Sequence, residues 1–194
     1  MYLQRYVSIP PEDQQIIVDA FSSRTYKANS FLSRAGEKAD TLYFINRGMI
    51  KITIPQDEEK VATYYFMTEN QFVALLYSYY GNIPAKQHLQ AVDDAEVFKI
   101  SMTDLEKLYE RMSYLKETIS QIAQLSMAEM INIKNTYLGL TAAQKYVKLL
   151  ELQPEVARTA PLMDIASYLD ITPQSLSRVR KQMFSQPKQT GDKQ

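Results

Sequence analysis

Residues 162–181 read Leu162-Met163-Asp164-Ile165-Ala166-Ser167-Tyr168-Leu169-Asp170-Ile171-Thr172-Pro173-Gln174-Ser175-Leu176-Ser177-Arg178-Val179-Arg180-Lys181. Leu162, Ile165, Ala166 and Leu169 fall at i, i+3, i+4 and i+7, the apolar face of a two-turn helix. Leu176, Val179 and Met183 repeat that face in a second helix. Between the two, Asp170 stands where the chain turns sharply and Ile171 plugs the corner. Thr172 is a good N-cap, and Pro173 takes the first helical position, where its missing N–H is no loss. Two short helices crossing steeply over so tight a turn make a helix-turn-helix, and small Ala166 suits the close approach.

Working upstream, Gly139 and Leu140 interrupt the chain, and Thr141 caps a helix through Tyr146, Val147, Leu149 and Leu150 that stops at Gln153-Pro154. A small helical domain therefore spans 139–186, with a Gln/Lys-rich tail at 187–194 that reads as disordered. Before it, a capping signature at Ser101–Thr103 with Asp104 and Glu106 opens a helix that breaks near Met112-Ser113 and runs on to Leu138. Leu115, Ile119, Ile122, Ser126, Met130, Ile133 and Tyr137 follow spacings of 4, 3, 4, 4, 3 and 4. That stripe predicts pairing with a second copy over residues 109–138, with Ile119, Ile122, Ser126, Met130, Ile133 and Tyr137 at the seam. The alternative is a long core helix packed only within its own chain.

Residues 1–108 have another period. A short helical lead-in over 5–22 opens at Pro10-Pro11 with Glu12 and Asp13. After it come β-rich runs at 25–27, 30–32, 41–45, 49–54 and 61–66, separated by turn formers such as Gly36, Gly48 and Pro55-Gln56-Asp57-Glu58. Many short strands imply a compact roll or barrel. The fold class read from the whole chain is α+β: an N-terminal jelly-roll, a long dimerisation helix and a C-terminal helix-turn-helix domain.

Bulk composition narrows the chemistry. A 45% hydrophobic content supports a real core, and no stretch is apolar enough to cross a membrane or to act as a secretion signal, so a cytoplasmic location is expected. With no cysteine and one histidine, His88, thiolate metal sites, redox switches and a multi-histidine cupin centre are out of reach. No nucleophile elbow or phosphate-binding glycine loop is found, and we expect no enzyme activity and no cofactor. Net charge is zero, but residues 139–194 hold eight Lys/Arg against five Asp/Glu, so a polyanion would meet the C-terminal part.

The second helix of the motif offers Thr172, Gln174, Ser175, Ser177, Arg178, Arg180 and Lys181 away from its apolar stripe. Arginine forks onto guanine O6 and N7, glutamine pairs with adenine N6 and N7, and hydroxyls and Lys take phosphates or base edges. The string Ile165–Arg180 resembles the C-terminal helix-turn-helix of Crp/Fnr regulators without a gap. It departs at Asp170, where glycine is usual, and in the little sequence left after Phe184 for a β-wing. Asp tolerates left-handed backbone better than most residues, so the turn should survive. The segment Leu32–Gly48 resembles the cyclic-nucleotide-binding roll of the same family. The resemblance implies a homodimer on inverted-repeat double-stranded DNA, with RNA polymerase as a further partner. The competing reading is a sensor of this fold acting through protein partners.

In nucleotide-binding relatives a later segment supplies Gly-Glu for ribose and Arg-Ser for the cyclic phosphate. Here the stretch is Phe72–His88, with Leu75 at the ribose carboxylate position and Ala85 or Lys86 at the arginine position. A buried phosphate without a guanidinium is poorly compensated, so cyclic AMP is not expected to bind in the usual way. Phe72, Val73, Ala74, Leu75, Tyr77, Ala85, Lys86 and Gln87 are the candidate pocket positions for an unknown effector. Tyr77, Tyr79 and Tyr80 read either as packing or as walls of such a pocket. His88 reads as a satisfied residue ahead of a metal or haem ligand.

Overall fold

The front of the chain pairs its β-rich runs into two antiparallel four-stranded sheets. The computed structural model describes residues 2–57 and 60–185, with side chains as far as Met183. A 3-10 turn, Tyr2–Arg5, and helix α1, Pro11–Ala20, lead in; Pro11 takes the first helical position and Glu12 and Asp13 the first turn, where negative charge is favoured. Strands β1 (Ser22–Tyr26), β2 (Phe31–Ser33), β3 (Thr41–Arg47), β4 (Ile50–Pro55), β5 (Val61–Met67) and β6 (Phe72–Val73) follow. Helix α2, Leu76–Gly81, then precedes β7 (His88–Ala91) and β8 (Ala95–Ser101). One sheet is ordered β1-β8-β3-β6 and the other β2-β7-β4-β5. The first strand lies over Ser22–Tyr26, three residues ahead of the sequence reading, because Ser22–Tyr26 finds a full set of partners in Ala95–Lys99.

Period-two alternation sends one face of each strand inward. Ile45 and Val97 are cross-strand partners and both are wholly buried, as are Ile50 and Ala91. The β3–β4 turn needs glycine: Gly48 has φ +90°, and a Cβ there would lie 2.9 Å from the Ala95 Cα and the Asp94 carbonyl oxygen. Asp93 fastens the same turn, its Oδ1 accepting the Met49 N–H at 2.8 Å.

Helix α3, Met102–Arg111, starts as the sequence reading required, with Ser101 Oγ accepting the Asp104 N–H at 3.0 Å. It breaks at Met112, and α4 runs from Ser113 to Thr136. The stripe read as an intermolecular seam needs correction here. Leu115, Ile119 and Ile122 are 0, 7 and 4% exposed and join Leu3, Ile17, Leu42, Ile100 and Leu105 in one core. An apolar side chain already removed from water by its own chain has no free surface for a second copy. In the first half of α4 the stripe is intramolecular.

The chain divides into two compact units between Asn132 and Ile133, inside α4. The second unit holds the last turn of α4 and helices α5 (Ala142–Leu152), α6 (Pro154–Thr159), α7 (Leu162–Tyr168) and α8 (Pro173–Ser185). Thr141 and Gln144 form a full capping box at the start of α5. Sequence reading missed α6: Pro154 ends α5, but its fixed φ also suits a first helical position, and the new turn buries Val156 and Ala157. The tail at 187–194, residue Glu58 of the hairpin tip, and any wing beyond Ser185 lie outside the described residues.

Candidate functional site

Helix α7 ends on a paired-carbonyl motif. Asp170 sits in the left-handed region at φ +52°, its N–H donating to the Ser167 carbonyl, while the Ile171 N–H reaches back to Ala166 at 3.0 Å. The aspartate therefore holds the left-handed position on which the turn depends. Two residues on, Thr172 caps α8: its Oγ1 accepts the Ser175 N–H at 3.1 Å and donates to Ser175 Oγ at 2.9 Å. Both hydroxyls are thus engaged in the cap.

The register of α8 is fixed by Leu176 and Val179, which are buried. That leaves Gln174, Ser177, Arg178 and Lys181 exposed at i, i+3, i+4 and i+7, lining one shallow surface with Pro173. Among the described residues no ion pair engages Arg178 or Lys181. Arg180 is half-buried and two positions from Arg178, so it points to another side of the helix. Of the seven candidates, four form the exposed face, two make the cap and one stands apart.

Residues that local spacing did not single out hold this face in place. Gln153 Oε1 accepts the Tyr168 hydroxyl at 2.7 Å and the Tyr137 hydroxyl at 3.3 Å, and the two rings meet edge-on at 5.7 Å. Burial pushes the Tyr137 phenol up to about 12. The Lys134 ammonium lies 5.0 Å from the centre of the Tyr168 ring, and burial lowers its pKa against the opposing pull of Asp170. Tyr137 and Ile133, read as seam residues, are instead buried, Tyr137 by this network in the helical unit. Ser126 and Met130 are half-buried. The apolar side chains that α4 leaves in solvent are Leu125, Met127 and Ile131, 50–55% exposed, followed just beyond the helix by Leu138 at 73%. Met127 and Ile131 are four apart on α4, on a side of the helix away from the buried stripe.

In the roll, the eight candidate effector positions do not converge. Leu75 lines a cavity of about 140 Å³ together with Tyr43, Leu89, Glu37 and Asp40. Ala85 is buried but exchanges backbone hydrogen bonds of 2.8 Å with Gly36 and Glu37. Val73 is buried, and Ala74 packs on the helical core. Phe72 pairs with Phe44 on the opposite face of the sheet from the buried Tyr43 and Val73. Tyr77 is 70% exposed, Lys86 is exposed and Gln87 half-buried. Tyr80 is exposed, and the Tyr79 hydroxyl donates to the Glu106 carboxylate. The lining of the small cavity holds no arginine; its charged residues are Glu37, Asp40 and Lys38. His88 is a satisfied residue: its Nδ1 accepts the Ala35 N–H at 2.9 Å, and burial, then Arg34, hold its pKa below the ordinary value.

The sequence of residues 23–112 matches the family model of the cyclic nucleotide-binding domain. That match runs from β1 through α3. Solved structures extend the likeness over both units of the chain. FixK2 from Bradyrhizobium japonicum is 16% identical, covers 85% of each chain and superposes with a TM-score of 0.71. CLP from Xanthomonas campestris, a c-di-GMP responsive global regulator, is 16% identical, covers 91% of this chain and 92% of its own, and also gives 0.71. The catabolite activator protein of Thermus thermophilus is 14% identical over 95% of this chain and 87% of its own, at 0.55. At these identities the likeness establishes the fold, that of Crp/Fnr regulators with a cyclic nucleotide-binding domain in front. No curated protein sequence matches the chain. No helix among the described residues is long and apolar enough to cross a membrane.

Proposed function

We propose that this chain is a homodimeric, DNA-binding transcription regulator of the Crp/Fnr type. The observation that carries the reading is the exposed row Gln174, Ser177, Arg178 and Lys181 on a helix capped and docked as a recognition helix requires. Arg178 and Gln174, four apart, read adjacent base edges, and Lys181 meets phosphate. Dimerisation falls to Met127 and Ile131 on α4, and a two-fold pair calls for an inverted repeat with half-sites about one helical turn apart. RNA polymerase is the natural further partner of such a regulator. The roll acts as a sensor that does not take cyclic AMP in the usual way. What supports this is that the cavity beside Leu75 measures only about 140 Å³ and has no arginine in its lining, when small-molecule sites run from roughly 300 Å³ upward.

The test is selection of bound sequences from random duplex DNA, followed by affinity measured against salt. Binding should weaken steeply as salt rises, because phosphate contacts release counterions. Arg178→Ala should lower affinity for the selected site by about tenfold or more and relax selectivity at one base pair while the fold is kept. Absence of salt-dependent retention would favour a sensor that works through protein partners.

A further inference from the structure

A second cavity lies outside the roll, on the outer face of the β1-β8-β3-β6 sheet, and it has a floor built by strand register. Ser23 pairs with Phe98, Phe98 with Phe44 and Phe44 with Phe72, so one row crosses all four strands on one face. The three phenylalanines are only partly buried, with Phe44 and Phe72 rings 4.9 Å apart. Helix α1 supplies one wall through Ile17, Val18 and Phe21, and the 3-10 turn supplies another through Tyr2 and Leu3. The groove is open to solvent and has a volume of about 640 Å³, within the range of roughly 300–1,000 Å³ found for small-molecule sites.

Its polar groups are few and of one sign. Arg5 is the only charged residue in the lining, and the hydroxyls of Tyr2 and Ser23 and the amides of Asn46 and Asn70 complete the polar set. No acid lines the groove, and among the described residues no ion pair holds Arg5; its guanidinium rests 5.4 Å from the Tyr2 ring centre. A small-molecule site with an apolar body and one exposed cation selects a ligand of the complementary kind.

We propose that this groove binds an apolar monocarboxylate, with its hydrocarbon body on the Phe98–Phe44–Phe72 floor and its carboxylate on Arg5. The site is separate from the cavity beside Leu75, and the proposal does not depend on the DNA-binding reading. Aromatic and aliphatic bodies share this chemistry, and the experiment separates them.

Calorimetric titration of the full chain with 2-naphthoate and with octanoate, each against its uncharged alcohol, tests the site. One of the acids should bind saturably and at least about tenfold more tightly than its alcohol, and Arg5→Gln should erase that margin. The chain has no tryptophan, so Val18→Trp, at an exposed wall position, adds a single reporter whose emission should change on titration. Neither residue is buried, so both variants should fold. Equal binding of acid and alcohol, an Arg5→Gln protein that keeps the preference, or no saturable binding would overturn the proposal. So would a Val18→Lys protein that sediments at half the parent's mass, because the groove would then be a contact between copies.

Discussion

The ammonium of Lys145, on α5, donates to the main-chain carbonyl of Leu169 at 2.7 Å and lies 3.4 Å from that of Asp170. These are terminal carbonyls of α7, left without partners inside their own helix, and a cation is the favoured group at that end. The lysine thus fastens the turn between α7 and α8 to a third helix. Lys145→Met keeps the stem and removes the donor, and should lower stability by about 1–2 kcal/mol in urea unfolding. An unchanged midpoint would mean that the contact contributes nothing. In the same turn, Asp170→Gly relieves left-handed strain at φ +52° and should raise stability by roughly 0.5–1 kcal/mol.

Gln153 is the shared acceptor of two buried phenols, Tyr137 and Tyr168. Gln153→Leu removes the acceptor that both hydroxyls share and should cost about 1–3 kcal/mol in urea unfolding. Tyr168→Phe in that background should cost less than Tyr168→Phe alone, because the hydroxyl's bond to Gln153 is already gone. A double-mutant cycle with purely additive effects would show that the three side chains do not act as a unit.

The parts legible in sequence were those governed by local chemistry. Asp170, Thr172 and Pro173 specify a turn and a helix start within four residues, and Ser101 and Thr141 are caps that bond three residues ahead. What stayed hidden depends on distant partners. Lys145 meets Leu169 across 24 positions, and Gln153 reaches Tyr168 across 15. The stripe on α4 shows a further limit. Its period was right, but period marks an apolar face without saying whose core covers it, and the core of the chain's own first unit covers Leu115, Ile119 and Ile122. The groove floor was equally invisible, because Phe44, Phe72 and Phe98 become neighbours only through strand register.

His88 is the chain's one histidine, so its titration can be read without overlap by NMR. As the neutral ring it accepts the Ala35 N–H; once protonated, Nδ1 becomes a donor and that bond is lost. Burial, and then Arg34, place its folded-state pKa below the ordinary 6.5. In the window beneath 6.5 the unfolded chain holds more protons, so stability falls as the pH drops through that window and is fully present above it. His88→Gln should flatten this slope between about pH 7.5 and 5.5 in parallel urea titrations. A ring that titrates above the ordinary value would reverse the sign and contradict the geometry.

The two faces of α4 make opposite demands on substitution. Ile119 is 7% exposed in the core of its own unit, so Ile119→Ala should cost about 2–4 kcal/mol in unfolding. It should leave the mass of the native protein unchanged. Ile131 is 51% exposed on the other stripe, where a charge barely disturbs a monomer, so Ile131→Glu should change monomer stability by less than about 0.5 kcal/mol. On a dimer seam the same glutamate is desolvated and faces its own copy across the two-fold axis, an arrangement that burial of like charge makes unfavourable. Sedimentation should therefore find Ile131→Glu at half the mass of the parent, with looser binding to an inverted-repeat duplex and little change on a single half-site. If Ile119→Ala were the variant that halved the mass, the helix would have to pair through its inner stripe, and the core around Leu115 and Ile122 would have to open to allow it.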